Sequence, residues 1–308
     1  MNTEVVEQIA NAVLYEGYML YPYRASAVKN RQRFNFGVLY PREYCELQLG
    51  AEASGMKTEC LIESAPSTAI EVKVRFLQLA ARREWQEGME REVCVEACPL
   101  ESLVTRAVTQ RFTFAGTEDS EGRKTESIEG EVELLAARFA ENLYRVTLKV
   151  RNLALLENAA ATSRDDVLLQ SLVSVHSILQ ASNGEFVSSL DPPEHLKDAA
   201  GQCHNEGTWP VLAGCVGQRD LVLSAPIILY DYPQIAPESA GDLFDGTEID
   251  EILALRILTM TDAEKLEVRN GDDRARRILE RTEMLPPEHF QKLHGALRGL
   301  RAHTEDAS

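Results

Sequence analysis

The sequence predicts an α+β protein, a mainly antiparallel β-sandwich-like body with an N-terminal helix and aromatic segment before it and C-terminal helices after it. Three observations predict this. Apolar and polar residues alternate with period two at Ile70, Val72, Val74 and Phe76, and again at Tyr144, Val146, Leu148 and Val150, the signature of a half-buried strand. Turn-rich stretches such as Gly116–Lys124, without intervening helical patterns, separate the alternating runs, which favours antiparallel pairing over crossover helices. After Gly246 the punctuation becomes that of helices.

Taken in order, Met1–Ala12 is acidic and amphipathic and reads as a helix. Weaker alternation at Val93–Val95, Val108–Phe114 and Ile128–Leu134 adds strands,. The apolar runs Val167–Leu179 and Leu221–Tyr230 are rich enough in β-branched residues to extend the same sheets, although the first also fits a helix,. Asp191–Gly217 is rich in Pro, Gly and polar residues and reads as a long loop,. Thr247 with Asp250, and Thr261 with Glu264, fit the capping box, in which a hydroxyl and a carboxylate satisfy the first free amides of a helix,. Ile249, Ile252, Leu253 and Ile257 then share one helical face. Asp272 and Asp273 start another helix, which Pro286 and Pro287 end before a last amphipathic stretch to about Leu300,. The expected organisation is residues 1–48 as helix plus aromatic and basic segment, 49–245 as the β-rich body and 246–303 as the helical part.

The 308 residues carry a formal net charge of -17, are 44% hydrophobic, and contain no run of eighteen apolar residues. No membrane span or signal peptide is expected, and the anionic balance disfavours nucleic acid. Six cysteines in a chain of this length read as reduced thiols, and the expected compartment is the cytoplasm,.

Several sharp motifs fail on spacing. Gly50 to Thr58 approaches a phosphate-binding loop, but one residue too many separates Gly55 from Lys57, and Glu59–Glu63 reads as a strand where that motif needs a helix,. His195, Cys203, His204 and Cys215 are weak metal candidates; adjacent Cys203 and His204 cannot easily aim at one ion, and Cys94 with Cys98 fits buried thiols better,. Asp242, Asp245, Glu248, Asp250 and Glu251 lack the alternating ligands of a calcium loop and suit a helix N-terminus,. There is no nucleophile elbow, zinc-protease helix or dinucleotide fingerprint. The chain is therefore read as non-enzymatic and without a cofactor.

The most unusual stretch runs from Tyr15 to Tyr44. Between Gly17 and Arg42 it holds Arg24, Lys29, Arg31, Arg33 and Arg42 and no acidic residue, and eight of the chain's twenty aromatic residues fall within these thirty positions. Rings beside guanidinium groups make either an internal latch or a docking face. The docking reading uses Tyr18, Tyr21, Tyr23, Arg24, Lys29, Arg31 and Arg33, joined by Tyr230 and Tyr232 of a second Tyr-rich stretch. The alternative is an enzyme or a protein binding an anionic small ligand in a pocket lined by this Tyr/Arg-rich segment, with Arg24, Lys29 or Arg31 converging with Asp231 or His204,.

The runs Leu14–Arg24, with Tyr21-Pro22-Tyr23-Arg24 at its end, Lys29–Arg31 and Phe34–Gly37 resemble the start of a family of uncharacterised bacterial proteins. Gly207–Leu212, Ser224–Glu238 and Gly241–Leu253 resemble its later part. Members tend to be encoded with nickel-iron hydrogenase genes of aerobic soil bacteria. The resemblance spans the chain and implies an accessory or maturation role acting by protein-protein docking, with hydrogenase subunits or maturation proteins as partners. It assigns no catalytic residue, and the chain lacks the paired CxxC ligands of a subunit holding the metal centre itself,.

Overall fold

The computed structural model describes residues 3–15, 36–82, 86–120, 122–234 and 260–269, together with 276, 279, 280, 283 and 284. They fall into two units, one ending at 234 and one beginning at 260.

The first unit is built on one very long strand, β1 (Gly55–Ala81). β2 (Gln86–Pro99) returns antiparallel along its second half. β3 (Val108–Phe114), the two-residue β4 (Thr117–Glu118) and β5 (Lys124–Thr125), β6 (Ile128–Arg138) and β7 (Leu143–Asn152) follow. β8 (Val173–Phe186), β9 (Trp209–Leu212) and β10 (Leu221–Ala225) complete the sheet. Its main path runs β3-β6-β7-β1-β8-β10-β9, and every ladder between these strands is antiparallel. The body is thus antiparallel sheet, as the alternation predicts, in the form of one open sheet.

β1 carries neighbours on both sides through its middle, residues 62–64 and 69–77. β7 pairs with residues 55–63 and β2 with 69–81 on one side, while β8 spans both halves on the other. Between the halves the register against β8 shifts from Ser64↔Gly184 to Ala69↔Ser182, so Ala65–Thr68 bulges out against Asn183. Ser67 and Asn183 take positive φ, 68° and 54°, and the buried Thr68 hydroxyl ties the bulge together. Its Oγ1 accepts from Ala65 N at 2.9 Å and lies 2.7 Å from Ala65 O and 2.5 Å from Asn183 O. Such a bulge bends a strand without ending its pairing.

The bend lets one apolar interior serve strands of both arms. Even-numbered residues of β1, β3, β6 and β7 join Val93 and Val95 of β2 and Val175, Leu179 and Ala181 of β8 in the main core. Phe76 touches Phe112 and Phe114 of β3 at ring distances of 5.6 and 5.8 Å. Gly130 of β6 makes room for this cluster: a side chain there would come within 2.2 Å of the Phe112 ring. The opposite face of β3, β6 and β7 is wet and holds a charge ladder, in which Glu131 takes Arg111 (3.2 Å) and Arg151 (2.9 Å), and Glu133 takes Arg151 and Lys149 (both 3.1 Å).

Short helices close the ends. α1 (Thr3–Tyr15) lays Val6, Ile9, Ala10 and Val13 on Ile178, Leu221 and Leu223, on the back of β8 and β10. Phe36–Tyr40 crosses the start of β8 through backbone bonds to Leu172, Ser174 and Val175, and Gly37 there (φ 54°) lies against Pro226, leaving no space for a side chain. It leads into α2 (Arg42–Leu47). α3 (Leu100–Thr105) plugs the core with Leu100 and Leu103, and α4 (Arg164–Leu168) is capped by Ser163, which accepts from Asp166 N.

Three local expectations need adjusting. Val167–Leu179 is the end of α4 and the start of β8, so both readings of that run apply. Only Leu221–Ala225 of the run to Tyr230 is strand. The loop 191–217 contains a 3-10 turn (Glu194–Leu196), α5 (Lys197–Ala200) and β9. In the second unit α6 (Asp262–Arg269) begins directly after Thr261, as the capping pattern predicts. Hydrogen bonds from Lys265 (2.9 Å) and Arg269 (2.7 Å) to Glu283 hold that carboxyl below its ordinary range. The other predicted C-terminal helix starts and stops, at Thr247, Asp272 and Pro286, lie outside the described residues.

Phe76→Ala is expected to cost about 3–5 kcal/mol by urea denaturation, because it empties a fully buried site where β1 meets β3,. Arg111→Ala, on the exposed end of the charge ladder, should cost less than about 1 kcal/mol,. Equal losses would mean that the ring cluster does not join the two arms.

Candidate functional site

Of the docking candidates, Tyr18, Tyr21, Tyr23, Arg24, Lys29, Arg31 and Arg33 lie outside the described residues. The end of their segment is described, and there Phe36 is exposed while the two tyrosines face inward. Tyr40 and Tyr44 are buried and stack at 5.2 Å. Burial raises the Tyr40 phenol, although Arg164 donates to its oxygen at 3.0 Å and also pairs with Glu52 at 3.2 Å. This end of the segment is a latch.

Tyr230 and Tyr232 part company. The backbone after β10 stays extended, with Ile227 and Leu229 packed on the α1 cluster and Ile228 and Tyr230 turned outward, 73% and 85% exposed. Tyr232 turns back at φ 55° and packs against the main core. Asp231 locks the turn, accepting from Ser188 Oγ (2.5 Å) and Leu212 N (2.8 Å), while Tyr232 N donates to Leu212 O (2.7 Å). These bonds also close the edge of β9, whose other outward position is Pro210, a residue without an amide hydrogen,. Trp209, opposite Ala225 in the ladder, is half exposed. Ile228 and Trp209 are exposed large side chains that were hidden in the sequence, one inside a continuous apolar run and the other inside a predicted loop.

Cys203 and His204 of the weak metal set come to rest on the sheet beside Glu59, a buried carboxylate on the wet side of β1. Glu59 accepts from His204 N at 2.8 Å and from Thr147 Oγ1 at 3.5 Å, with Lys57 Nζ and Arg145 Nη1 each 3.8 Å away. Its own amide donates to Asn205 Oδ1 (2.7 Å), and Lys57 and Glu206 exchange backbone bonds of 3.0 and 2.8 Å. Arg145 donates to Gln202 O and lies over the Phe139 ring at 5.2 Å. This is an anchor that fastens residues 202–206 to the sheet. Burial pushes the Cys203 thiol up to about 11 and raises Cys60 as well.

The metal candidates are otherwise dispersed. His195 is exposed on the 3-10 turn and Cys215 on the loop after β9. Cys94 and Cys98 lie on β2, Cys94 near Glu92 and Cys98 near Glu96 O. Among the described residues no three His, Cys, Asp or Glu side chains are grouped to hold a metal, and none of the six cysteines forms a disulfide. The first part of the near-match to a phosphate loop, residues 50–54, is turn and bend, and the strand expected at Glu59–Glu63 already begins at Gly55, so Lys57 lies within β1.

A cleft of about 810 Å³ opens beside the β1 bend, lined by Glu63–Ala65, Ala181, Asn183–Glu185 and Gly217–Asp220. Arg219, its one cationic lining residue, is paired with Glu63 (3.5 Å) and Glu185, and Asp220 adds a third carboxylate. An anion finds no unneutralised positive charge in that lining. Among the described residues no helix is long and apolar enough to cross a membrane. Compared with known proteins, the chain matches no protein-family model and no curated protein.

Glu59→Ala is expected to lower stability by about 1–3 kcal/mol and to expose the amides of residues 202–206 to hydrogen exchange; retained protection there would rule out the anchor. The raised Cys203 thiol leaves ~100-fold less thiolate at pH 8 than an ordinary cysteine of pKa 9,. Its alkylation, followed by peptide mass spectrometry, should therefore be slow at pH 8 and rise about tenfold per pH unit up to pH 10.

Proposed function

We propose that this protein is a non-enzymatic accessory or maturation factor that works by docking on another protein. The observation that supports the reading is the exposed pair Ile228 and Tyr230: large side chains held outward on a backbone whose alternate residues, Ile227 and Leu229, are partly buried against the α1 cluster and whose end is pinned by Asp231. A rigid ring and an aliphatic chain already ordered before binding lose little freedom on docking. The basic aromatic segment around Tyr18–Arg33 is proposed from its sequence as a second docking element, suited by its charge to an acidic partner face,. A nickel-iron hydrogenase subunit or one of its maturation proteins is the proposed partner, on the strength of the resemblance at both Tyr-rich stretches, with the cytoplasm as the site of action. The proposal also takes the bent body as sandwich-like, its two arms closing over the Phe76, Phe112 and Phe114 cluster.

The test is pull-down from a strain that expresses the neighbouring hydrogenase genes. Ile228→Ser with Tyr230→Ala, and separately Arg24, Arg31 and Arg33 all to Ala, should each cut recovery of the hydrogenase partner at least about tenfold, the loss of a hot-spot contact, with an unchanged melting temperature. Full recovery with both variants contradicts the surface.

A further inference from the structure

We propose that α1 is an acid-released latch, held on the sheet by a polar strip in which His176 must remain uncharged. His176 stands opposite Arg75 in the β1–β8 ladder. On its own strand, Ser174 two residues before it donates from Oγ to the Val13 carbonyl of α1 (3.2 Å), and Ile178 two residues after it packs against the same helix. On β1, Lys73 reaches Glu7 of α1 at 3.0 Å. The ladder is regular from His176 to Ile178 and from Lys73 to Arg75, and side chains two apart on a regular strand share a face, so His176 and Arg75 lie on the face that α1 covers.

The ring is completely buried. Nδ1 is 3.0 Å from the Ser174 carbonyl, and because a carbonyl only accepts, Nδ1 carries the proton of the neutral ring,. Nε2 is buried without a hydrogen-bond partner among the described residues. A second proton would therefore arrive at an atom with no acceptor, in a dry site beside a guanidinium. The charged groups around it are Arg75 and Lys73 on β1, Glu90 and Glu92 on β2 and Glu7 on α1. Both carboxylates of β2 are engaged by Arg75 or Lys73 (3.1–3.9 Å), and the attraction of Glu90 for a charged ring is outweighed by burial. Burial lowers the ring to about 4 in the closed state, against an ordinary value of 6.5.

The sign follows from linkage. With the basic form favoured in the closed state, the released state binds more protons between those two values, so closure weakens as pH falls from 6.5 towards 4,. If release restores the ordinary value, the equilibrium constant for opening rises about 40-fold between pH 6.5 and 4.5,. α1 runs in sequence straight into the basic aromatic segment, so its release would alter how that segment is tethered.

Hydrogen exchange of the full chain, read by mass spectrometry and corrected for the intrinsic pH dependence of exchange, tests the latch. Peptides from α1 should lose protection about 40-fold over that pH range, while peptides from β7 keep theirs. In His176→Gln the α1 loss should disappear, and in Arg75→Met, which removes the adjacent cation and so brings the closed-state ring nearer its ordinary value, the loss should be smaller and level off at higher pH,. The carboxylates are common to all three proteins, so the differences report the ring. If His176→Gln does not fold, the smaller loss in Arg75→Met decides. Identical pH profiles in the wild type and the folded variants, or equal loss of protection in β7, would overturn the proposal.

Discussion

The structure depends on β1 continuing its hydrogen bonding through a bend. A strand of 27 residues in an ordinary twisted sheet would run far past any single core,. Here the bulge at Ala65–Thr68 turns it, so its first half pairs with β7 and its second with β2, while β8 follows it on the other side. Both arms are hydrogen-bonded to this one strand, and Phe76 in its second half reaches the rings of β3 at the far end of the first arm. The Thr68 hydroxyl, Gly184 packed against it, and the positive φ of Ser67 and Asn183 are the local means of that turn.

With the apolar faces turned inward, the outer faces decide what the protein presents. Most of that outside is neutralised internally: β6 supplies carboxylates to the cations of β7 and β3, β2 supplies them to β1, and Glu59 gathers Lys57, Arg145 and the 202–206 segment. Catalytic groups need free, converging side chains, and the described polar clusters are instead spent on holding segments to the sheet. Among the exposed large apolar residues, Ile228 and Tyr230 sit on a backbone that Asp231 keeps in place.

The alternation of β1's second half and of β7 was legible because each has one wet and one dry face, and β3 and β6 followed for the same reason. The first half of β1 showed only as Glu59–Glu63, since Gly55, Lys57 and Thr58 resemble a loop until β7 pairs with them. β9 was hidden because Trp209-Pro210-Val211-Leu212 is short and carries a proline, tolerated only at an edge,. The helices α2 and α3 each follow a proline, Pro41 and Pro99, a start signal too brief to show helical period,. Tyr40 and Tyr44 carry the same composition as a docking patch, and only the fold reveals that they face inward. Cys203 and His204 looked like half of a metal site; in space the histidine's amide, not its ring, binds the neighbouring carboxylate.

Native-state hydrogen exchange along β1 tests the central claim most directly. If the bent strand joins both arms into one cooperative body, the slowest amides of residues 56–62 and of 70–78 should exchange with the same free energy and the same denaturant dependence, that of global unfolding. Two distinct exchange energies, with one half of β1 opening while the other stays protected, would show two independent bodies sharing a strand and would contradict the account.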